Sequence, residues 1–327
     1  MSPRIAIIGP RSATAQHALY LGMEGAEVVG VSPEDLEHEP TVPAFDSPQR
    51  MLERLRPDGV VVLSDGATRS RYIAAGLRTG CHVLCASPLI YDEKLSPFEC
   101  LETATRLCRR SRELDLDLCA IAPYVSLVPA LRELAHLGLG PTRGVWSFAM
   151  RILRSPIDGR TDPRSWLAEE GSHPLGLLLG LVPGARMREE NAQVAVEPDA
   201  CRIAFDCHAP SSIAGDAPHQ CAVSIVLGEA EKPLVEVEVN GLRIACIERA
   251  ATDGTHPCYL RVGEHEESCG DPAQATIRSF LARIRRDDAG PIADAEQALT
   301  SLRMLLRLLR LGSGSTAVPA PGGALGK

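Results

Sequence analysis

The sequence predicts an α/β protein, in which a doubly wound parallel sheet is followed by an α+β domain built on a mainly antiparallel, open sheet. Two observations support this prediction. Before residue 123, continuous apolar runs alternate with helix-length segments, as the buried strands of a parallel sheet require. After it, short strand-like segments of alternating polarity surround the dipeptide Asn240-Gly241, which is a strong signal for a β-hairpin turn.

The chain opens with a strand, a turn, a helix and a second strand. Residues 5–8 are an apolar run that ends at Gly9, and residues 28–31 form the next run. This order is that of a dinucleotide-binding domain of the Rossmann type. The three glycines of its fingerprint fall here on Gly9, Arg11 and Thr14, so only the glycine of the tight turn is present.

The remaining elements of the first domain follow in order. Residues 33–48 are polar and rich in proline, which predicts a loop. Ser96, Pro97 and Glu99 have the spacing of a capped helix N-terminus. Strands are predicted at 59–64, 82–85 and 116–122, and helices at 48–56, 68–79 and 97–114.

From residue 124 the pattern changes to that of an antiparallel sheet with helices. We expect a dinucleotide-binding domain at 1–123, a substrate or oligomerisation domain at 124–311, and a disordered tail at 312–327, which is rich in Gly, Pro and Ala. Helices are predicted at 128–137, 166–181, 273–286 and 293–311, and strands at 142–152, 201–207, 221–227, 234–239, 242–248 and 258–262.

Composition excludes several classes of function. A formal net charge of −8 and a pI near 5.6 argue against nucleic acid or an anionic membrane surface as a partner. No run reaches the ~18 apolar residues of a membrane span, and the N-terminal run is too short for a signal peptide, so we expect a cytoplasmic protein. The 11 cysteines form no C-x-x-C pair and no group with zinc spacing. We interpret them as reduced, mostly buried side chains and expect no metal site.

Several segments together resemble the Gfo/Idh/MocA oxidoreductases, over about residues 4–320. Residues 75–85 read AGLRTGCHVLC, residues 166–178 read WLAEEGSHPLGLL, residues 280–285 read FLARIR, and His17 lies eight positions after Gly9. The resemblance implies NAD(P)-dependent hydride transfer on a sugar, a cyclitol or a related small carbonyl or alcohol. It also implies a cleft between the two domains, and often a homo-oligomer, dimer or tetramer, packed through the open face of the second sheet.

The resemblance also places NADP or NAD at the carboxyl edge of the first sheet. Arg11 either contacts a phosphate or fills the pyrophosphate space. Ser32 stands where an acidic residue takes the ribose hydroxyls of NAD, and it is compatible with NADP; Glu34 and Asp35 are alternative acids if the loop is shifted. The full set of expected cofactor-binding residues is Gly9, Arg11, Ser12, Ser32, Ser64, Asp65 and Ser87.

Further departures from the family pattern lie near the reacting carbon. Ser87 stands where the family has a lysine that positions the substrate oxygen and assists proton transfer, and a neutral hydroxyl cannot supply the positive charge that stabilises an alkoxide. Arg69 stands at a family histidine position. Lys94 is an alternative cation if it folds back, and otherwise a solvated side chain. Asp65 is either a ligand residue or the cap of the following helix.

Glu169 and His173 form the candidate catalytic pair. Their i,i+4 spacing places them on one helix face, and they match the family's acid and histidine. A carboxylate beside an imidazole orients it for acid–base catalysis; the alternative is an ion pair on a helix surface. Glu170 is the neighbouring alternative carboxylate, and Tyr124 is a further candidate donor. Ser126 stands near a position where the family often has a substrate-side arginine.

Two functions are consistent with these residues. The first is an oxidoreductase that uses His173 and Glu169 without the lysine. The second is a cofactor-free or non-redox relative that serves as a subunit beside a homologous partner, a scaffold or a repurposed biosynthetic enzyme. The departures at Arg11, Thr14, Ser32, Arg69 and Ser87 converge on one site, which favours the second. The fold itself supplies much of the cofactor positioning, which favours the first.

Overall fold

A computed structural model describes residues 2–33, 43–140, 144–155, 164–210 and 219–314 of the 327-residue chain. Most of the predicted loop at 33–48, including Glu34 and Asp35, lies outside the described residues, as does most of the predicted tail. Within the described ranges no helix is long and apolar enough to cross a membrane. The 11 cysteines are free thiols, and all but Cys269 are buried.

The first sheet has six strands in the order β14-β5-β4-β3-β1-β2. All neighbouring pairs are parallel except β14 with β5. The predicted doubly wound parallel sheet is therefore confirmed. Its strands are β1 (Arg4–Gly9), β2 (Glu27–Pro33), β3 (Gly59–Val62), β4 (His82–Ala86), β5 (Leu118–Ile121) and β14 (Ala293–Asp294).

Helices cover both faces of this sheet. One face packs against α1 (Arg11–Met23) and α8 (Pro272–Arg285), through Tyr20 and Phe280 among others. The other face packs against α2 (Pro48–Leu55), α3 (Gly66–Arg78), α4 (Pro97–Glu113) and α9 (Ala295–Gly314). The capping box predicted from Ser96 and Glu99 is present at the start of α4.

The second sheet has eight strands in the order β13-β12-β11-β10-β6-β9-β8-β7. Its neighbouring pairs are antiparallel except β6 with β9, so the predicted mainly antiparallel sheet is confirmed. Its strands are β6 (Ser147–Arg154), β7 (Arg186–Val196), β8 (Ala200–Ala209), β9 (His219–Glu229), β10 (Leu234–Val239), β11 (Leu242–Glu248), β12 (Cys258–Val262) and β13 (His265–Ser268).

One face of the second sheet is covered and the other is open. A 3-10 helix (Pro123–Leu127) and the helices α5 (Val128–Leu139), α6 (Arg164–Glu170), α7 (Ser172–Leu181) and α9 pack on the covered face. On the open face, the alternate residues of β8 and β9 are exposed or partly exposed, as Ala204 and Ser224 show. The hairpin predicted at Asn240-Gly241 is confirmed, because Val239 pairs with Leu242.

Three differences from the sequence prediction affect the site. The helix predicted at 166–181 is divided at Gly171 into α6 and α7, although Gly171 keeps right-handed helical angles (φ −61°, ψ −27°) and its N–H donates to the carbonyl oxygen of Leu167 at 3.1 Å. The short or polar strands β7, β13 and β14 were not predicted. Residues 272–294, which sequence reasoning assigned to the second domain, pack on the first sheet as α8 and β14. The boundary at residue 124 remains a prediction.

Candidate active site

The β1–α1 turn is tight and depends on one glycine. Gly9 has φ +151°, and an added Cβ would lie 2.6 Å from the Cβ of Leu63, so a larger residue does not fit without displacement. Helix α1 begins at Arg11, directly after Pro10. Thr14, at the third glycine position, is buried and donates its hydroxyl to the Gly9 carbonyl oxygen at 3.3 Å. The helix therefore stays packed on the strand with a small polar residue between them.

The N-terminus of α1 presents backbone N–H groups at the carboxyl edge of the sheet. Within the described part of the chain, no side chain caps this helix end. Arg11 and Ser12 are exposed in its first turn. Uncapped N–H groups beside a guanidinium suit an anionic group such as a pyrophosphate.

Ser32, at the end of β2, is turned into the protein. It is 4% exposed, and its hydroxyl donates to the carbonyl oxygen of Phe45 at 2.8 Å. Residues 43–45 run beside β2 and hydrogen-bond to it. A ribose contact from Ser32 would require its hydroxyl to leave Phe45, so that role stays a prediction.

A buried arginine joins the carboxyl ends of β3 and β4. Arg69 is 6% exposed, and its Nε and Nη2 donate to the carbonyl oxygen of Ser64 at 3.1 and 2.7 Å. Its Nη1 donates to the carbonyl oxygen of Pro88. An added Cβ at Gly66 would lie 1.9 Å from the Tyr91 carbonyl oxygen. The loop after β4 is thus held closely against the start of α3.

Ser64 and Asp65 follow β3 but differ in what they bind. Asp65 caps α3, because its Oδ1 accepts hydrogen bonds from the backbone N–H and the hydroxyl of Thr68, both at 2.9 Å. These bonds hold the pKa of Asp65 below its ordinary value. The buried hydroxyl of Ser64 has no partner among the described residues. A buried polar atom of this kind fits a ligand or an ordered water.

Ser87 ties two strand ends together. Its hydroxyl donates to the carbonyl oxygen of Ile121 at 2.7 Å, which joins the end of β4 to the end of β5. It also lines a cavity of about 10 Å³ with Ser172 and Ser301, enough for about one water. The hydroxyls of Ser172 and Ser301 have no partner among the described residues. Ser87 supplies no positive charge at this position.

His173 lies in the first turn of α7 as a largely buried imidazole. Its side chain is 21% exposed, and its Nδ1 has no hydrogen-bond partner in the described ranges. Its Nε2 lies 3.8 Å from Oε2 of Glu170, and that oxygen lies 3.5 Å from Nη2 of Arg154. Burial lowers the pKa of His173 more than Glu170 raises it, and Arg154 lowers it further. The imidazole is therefore neutral near pH 7.

Tyr124 connects His173 to the first sheet. The two rings meet edge to face, with centroids 6.2 Å apart and planes at 88°. Tyr124 belongs to the 3-10 helix that directly follows β5, at the edge where ligands bind in such folds. Burial raises the pKa of Tyr124, so its phenol stays protonated and remains a donor.

The register of the second sheet brings Arg154 and Glu248 to the same cleft. Ile152 pairs with Val235, and Val235 pairs with Cys246. Arg154 and Glu248 each lie two residues further, so they share one end of the sheet and one face. That face is the covered one, because Ile152 and Cys246 are buried in its core. The cleft therefore combines the edge of the first sheet with one end of the second.

The structure sets a different carboxylate against His173 than the one predicted. Glu169 is exposed, whereas Glu170 is partly buried and faces the imidazole. Glu170 precedes His173 by three residues, and the i,i+3 spacing also makes two side chains neighbours on a helix. The structure thus sets Glu170, the alternative that the sequence left open, beside His173, and the catalytic role of Glu169 with His173 stays a prediction.

Arg154 is the site residue that sequence reasoning missed. The sequence contains a pattern that points to it. Along β6 every second residue, Phe148, Met150 and Ile152, is buried, and Arg154 is the next residue in this alternation. A charged side chain at the end of a core-facing series indicates a cleft. Ser126 and Lys94, which the sequence also offered as site residues, do not reach the cleft. The hydroxyl of Ser126 donates to the carbonyl oxygen of Pro123 at 2.7 Å, and Lys94 is exposed in the loop before α4.

The residues at the carboxyl edge fit the phosphate end of a dinucleotide. The Gly9 turn, the uncapped start of α1 and the Arg11 side chain supply a tight approach, N–H donors and a cation. The unpartnered hydroxyl of Ser64 adds a donor beside them. Fewer side chains are available for the ribose and nicotinamide ends of the dinucleotide. The hydroxyls of Ser32 and Ser87, which were predicted to bind there, donate to backbone carbonyl oxygens of the protein.

A family model matches the first domain. Residues 3–113 match the model described as "Oxidoreductase family, NAD-binding Rossmann fold", which is that of the Gfo/Idh/MocA proteins. None of the curated protein sequences matches the chain.

Solved structures match nearly the whole chain at low identity. UDP-N-acetylglucosamine 3-dehydrogenase GnnA from Acidithiobacillus ferrooxidans is 16% identical, with a TM-score of 0.69 over 95% of this chain and 98% of that one. Scyllo-inositol dehydrogenase from Lactobacillus casei, crystallised with NAD(H) and scyllo-inositol, is 13% identical, with a TM-score of 0.68 over 96% and 97%. An oxidoreductase from Agrobacterium radiobacter, in complex with NAD+, L-tartaric acid and magnesium, is 12% identical, with a TM-score of 0.67 over 96% and 97%.

At these identities the solved structures show the fold, and the family model adds the kind of domain at its start. The resemblance drawn from the sequence is thereby confirmed. Residues 3–113 match the NAD-binding Rossmann domain of the Gfo/Idh/MocA oxidoreductase family, and the chain shares the two-sheet fold of the solved oxidoreductases over 95–96% of its length.

Proposed function

We propose that this protein is an NAD- or NADP-dependent oxidoreductase that interconverts a secondary alcohol and a carbonyl on a small polyhydroxy compound, such as a sugar or a cyclitol. One observation carries the proposal. A neutral, largely buried His173 lies beside Tyr124 and Glu170 at the carboxyl edge of a Rossmann sheet. This is the arrangement that a proton acceptor for alcohol oxidation requires.

In the oxidative direction, His173 acts as the base. Its Nε2 takes the hydroxyl proton as the C–O bond becomes a carbonyl, and Glu170, 3.8 Å away, stabilises the imidazolium that forms. When bound, an oxidised nicotinamide accepts the hydride. The proton then passes from Nε2 to solvent. Tyr124 donates its phenol in the cleft and orients the ring of His173 through the edge-to-face contact.

The charges of the cleft favour a neutral substrate. Arg154 is a donor with a positive charge, while Glu170 and Glu248 are acceptors with negative charge. A polyol both donates to carboxylates and accepts from a guanidinium, whereas a dianion would be repelled by two carboxylates. Scyllo-inositol and UDP-N-acetylglucosamine, which occur in the names of similar structures, are suitable neutral and anionic probes.

A second function is favoured by a separate observation. Ser87 is bonded to Ile121, and Arg69 fills the corner between β3 and β4, so the lysine and histidine that the resemblance expects near the reacting carbon are both replaced. The alternative is a cofactor-free or non-redox relative that serves as a partner subunit, a scaffold or a repurposed biosynthetic enzyme.

Calorimetric titration with NADH and NADPH separates the two functions. We expect one of them to bind and the His173→Ala variant to bind it equally well, while losing turnover of scyllo-inositol or another polyol by about 10²–10⁴-fold. Because burial lowers the pKa of His173, its base form persists to lower pH. The oxidation rate should therefore rise with pH along an acid limb whose midpoint lies below pH 6.5, the ordinary value for histidine.

The proposal fails if neither nucleotide binds at millimolar concentration. Binding without turnover of any polyol would favour the alternative. The matched control is His136→Ala, because His136 lies in the last turn of α5, away from the cleft, and its replacement should leave both binding and turnover unchanged.

We further propose a homo-oligomer in the cytoplasm, packed through the open face of the second sheet. Small side chains near the middle of that face support it, since they allow two sheets to approach closely; these include Ala149, Ala204, Ala222 and Ser224.

A further inference from the structure

We propose that Arg154 supplies the positive charge at the reacting oxygen, and so replaces in space the lysine whose sequence position is taken by Ser87. The inference rests on the proposed function, because it concerns the alkoxide formed in that reaction. The charge comes from the second sheet rather than from the edge of the first.

The backbone of Arg154 is fixed. It is the last residue of β6, paired with Glu229 of β9, and its carbonyl oxygen accepts the N–H of Ala230 at 2.9 Å. Its side chain continues the core-facing series of that strand toward the cleft. A group placed by a strand is held more precisely than one on a loop, and Lys94 is on a loop.

Glu170 orients the guanidinium beside His173. Nη2 of Arg154 lies 3.5 Å from Oε2 of Glu170, and the same oxygen lies 3.8 Å from Nε2 of His173. Glu170 is the hydrogen-bond partner of the Arg154 side chain among the described residues. A guanidinium has five N–H donors, so others remain for a substrate oxygen on the side away from Glu170.

Partial burial strengthens the electrostatic effect of the Arg154 guanidinium and still leaves it accessible to a ligand. The Arg154 side chain is 35% exposed, so a ligand can reach it, but it is screened less than a solvated surface charge. The same guanidinium opposes part of the rise that burial causes in the pKa of Tyr124, and it adds to the lowering of the pKa of His173. It therefore lies near both side chains, whose rings meet edge to face.

During oxidation the guanidinium forms no covalent bond. It donates an N–H to the substrate oxygen while the proton moves to Nε2 of His173 and the hydride leaves the carbon with its electron pair. The negative charge that builds on the oxygen is greatest between these two events. A preorganised cation at that position contributes on the order of 10²–10³-fold in kcat.

The test compares Arg154→Met with Arg151→Met in the full chain. Arg151 lies on the same strand, on the open face, and is paired with Glu236 at 3.9 Å, so it controls for the loss of an arginine from β6. We expect Arg154→Met to lower kcat by about 10²–10³-fold with a smaller change in KM, and Arg151→Met to change neither beyond twofold. Arg154→Lys should retain part of kcat, and millimolar guanidinium ion should restore part of it to Arg154→Ala.

A second measurement does not depend on the cofactor. The pKa of His173, followed by NMR, should rise in Arg154→Met, because a repelling charge is removed and Glu170 is released to the imidazole. Tyr124 stays protonated over the whole titration, because burial raises its pKa, so its charge does not change beside His173. Arg151→Met should leave this pKa unchanged.

The outcomes separate the two proposals. Failure of NADH and NADPH to bind sinks the proposed function, whereas a kcat of Arg154→Met within threefold of wild type, with the cofactor bound, overturns the role of Arg154. If the cofactor binds and no polyol is turned over, the alternative function is favoured and the role of Arg154 at the reacting oxygen falls with the proposed reaction. An unchanged pKa of His173 in Arg154→Met overturns that role in every case, because the guanidinium would then not act on the base.

Discussion

Ser87 shows how a side chain singled out in the sequence can have a structural role. The sequence predicted a neutral residue at the position of a family lysine, and that correspondence stays a prediction. The structure gives its hydroxyl a structural bond to the carbonyl oxygen of Ile121. A hydroxyl held in this way is poorly placed to serve a cofactor as well, because turning toward a ligand would leave a buried carbonyl unsatisfied.

Replacement of Ser87 by Ala tests this reading. We expect a loss of about 1 kcal/mol in the free energy of unfolding, measured with urea, and no change beyond twofold in the Kd for NADH or NADPH. Ser126→Ala, which removes a similar bond to Pro123, is the matched control for stability. A tenfold weaker nucleotide affinity in Ser87→Ala alone would instead establish Ser87 as the predicted cofactor-binding residue.

The choice between Glu169 and Glu170 also belongs to the residue scale. Both carboxylates precede the same histidine, and spacing alone favoured the first. In the structure the carboxylate at i,i+3 faces the ring and the one at i,i+4 is exposed. Both spacings bring side chains together on a helix, so spacing by itself could not decide between the two glutamates.

At the scale of elements, the β1–α1 unit was predicted with correct order and type. Its short apolar runs are typical of buried parallel strands, and the glycine at the end of the first run marks the turn. The structure adds the reason that Gly9 is required: the backbone at that point touches Leu63 at the end of β3. The glycine therefore serves packing between strands as well as any approach by a phosphate.

Gly9→Ala should destabilise the protein and weaken nucleotide binding together. The added methyl would overlap Leu63 at 2.6 Å, and such overpacking costs about 1–3 kcal/mol. Gly22→Ala, in the helix α1 that follows the turn, is the control, because nothing lies within 4 Å of its added Cβ and alanine there should be neutral or stabilising by up to about 1 kcal/mol. Urea unfolding and calorimetry measure both effects. Equal stability of the two variants would contradict this account of the turn.

The elements that sequence reasoning missed have a common cause. β13 and β14 are four and two residues long, too short for a periodic signal, and the polar strand β7 contains an irregularity in its pairing. Their strand character comes from the neighbour they pair with. Propensity and alternation describe a strand's own residues, and they carry little information about a partner distant in sequence.

At the scale of the whole molecule, the chain returns to its first sheet after building the second. Helix α8 packs against α1, where Arg278 pairs with Glu24 at 2.8 Å, and α9 spans both cores. Residues of the two sheets are thus joined through the packing of one helix, α9, into both cores.

The open face of the second sheet gives the prediction that belongs to this scale. We expect light scattering to show a dimer or tetramer, and Ala204→Arg on the middle of the face to shift it toward monomer, because unpaired charges oppose the close approach of two sheets. Thr105→Arg, on the exposed side of α4, should leave the mass unchanged. A monomeric wild type, or an oligomer unaffected by Ala204→Arg, would contradict the proposed interface.

Local sequence patterns predicted the order of the longer strands and helices, the two kinds of sheet, the turn at Gly9 and the candidacy of His173. Apolar periodicity and turn residues act over a few positions, so they are visible without the fold. Tertiary contacts were needed to show that Glu170 rather than Glu169 faces His173, that Ser87 is bonded within the protein, and that Arg154 lies beside Glu170. Those facts depend on the register of strands and the packing of the two sheets, which join residues far apart in the chain.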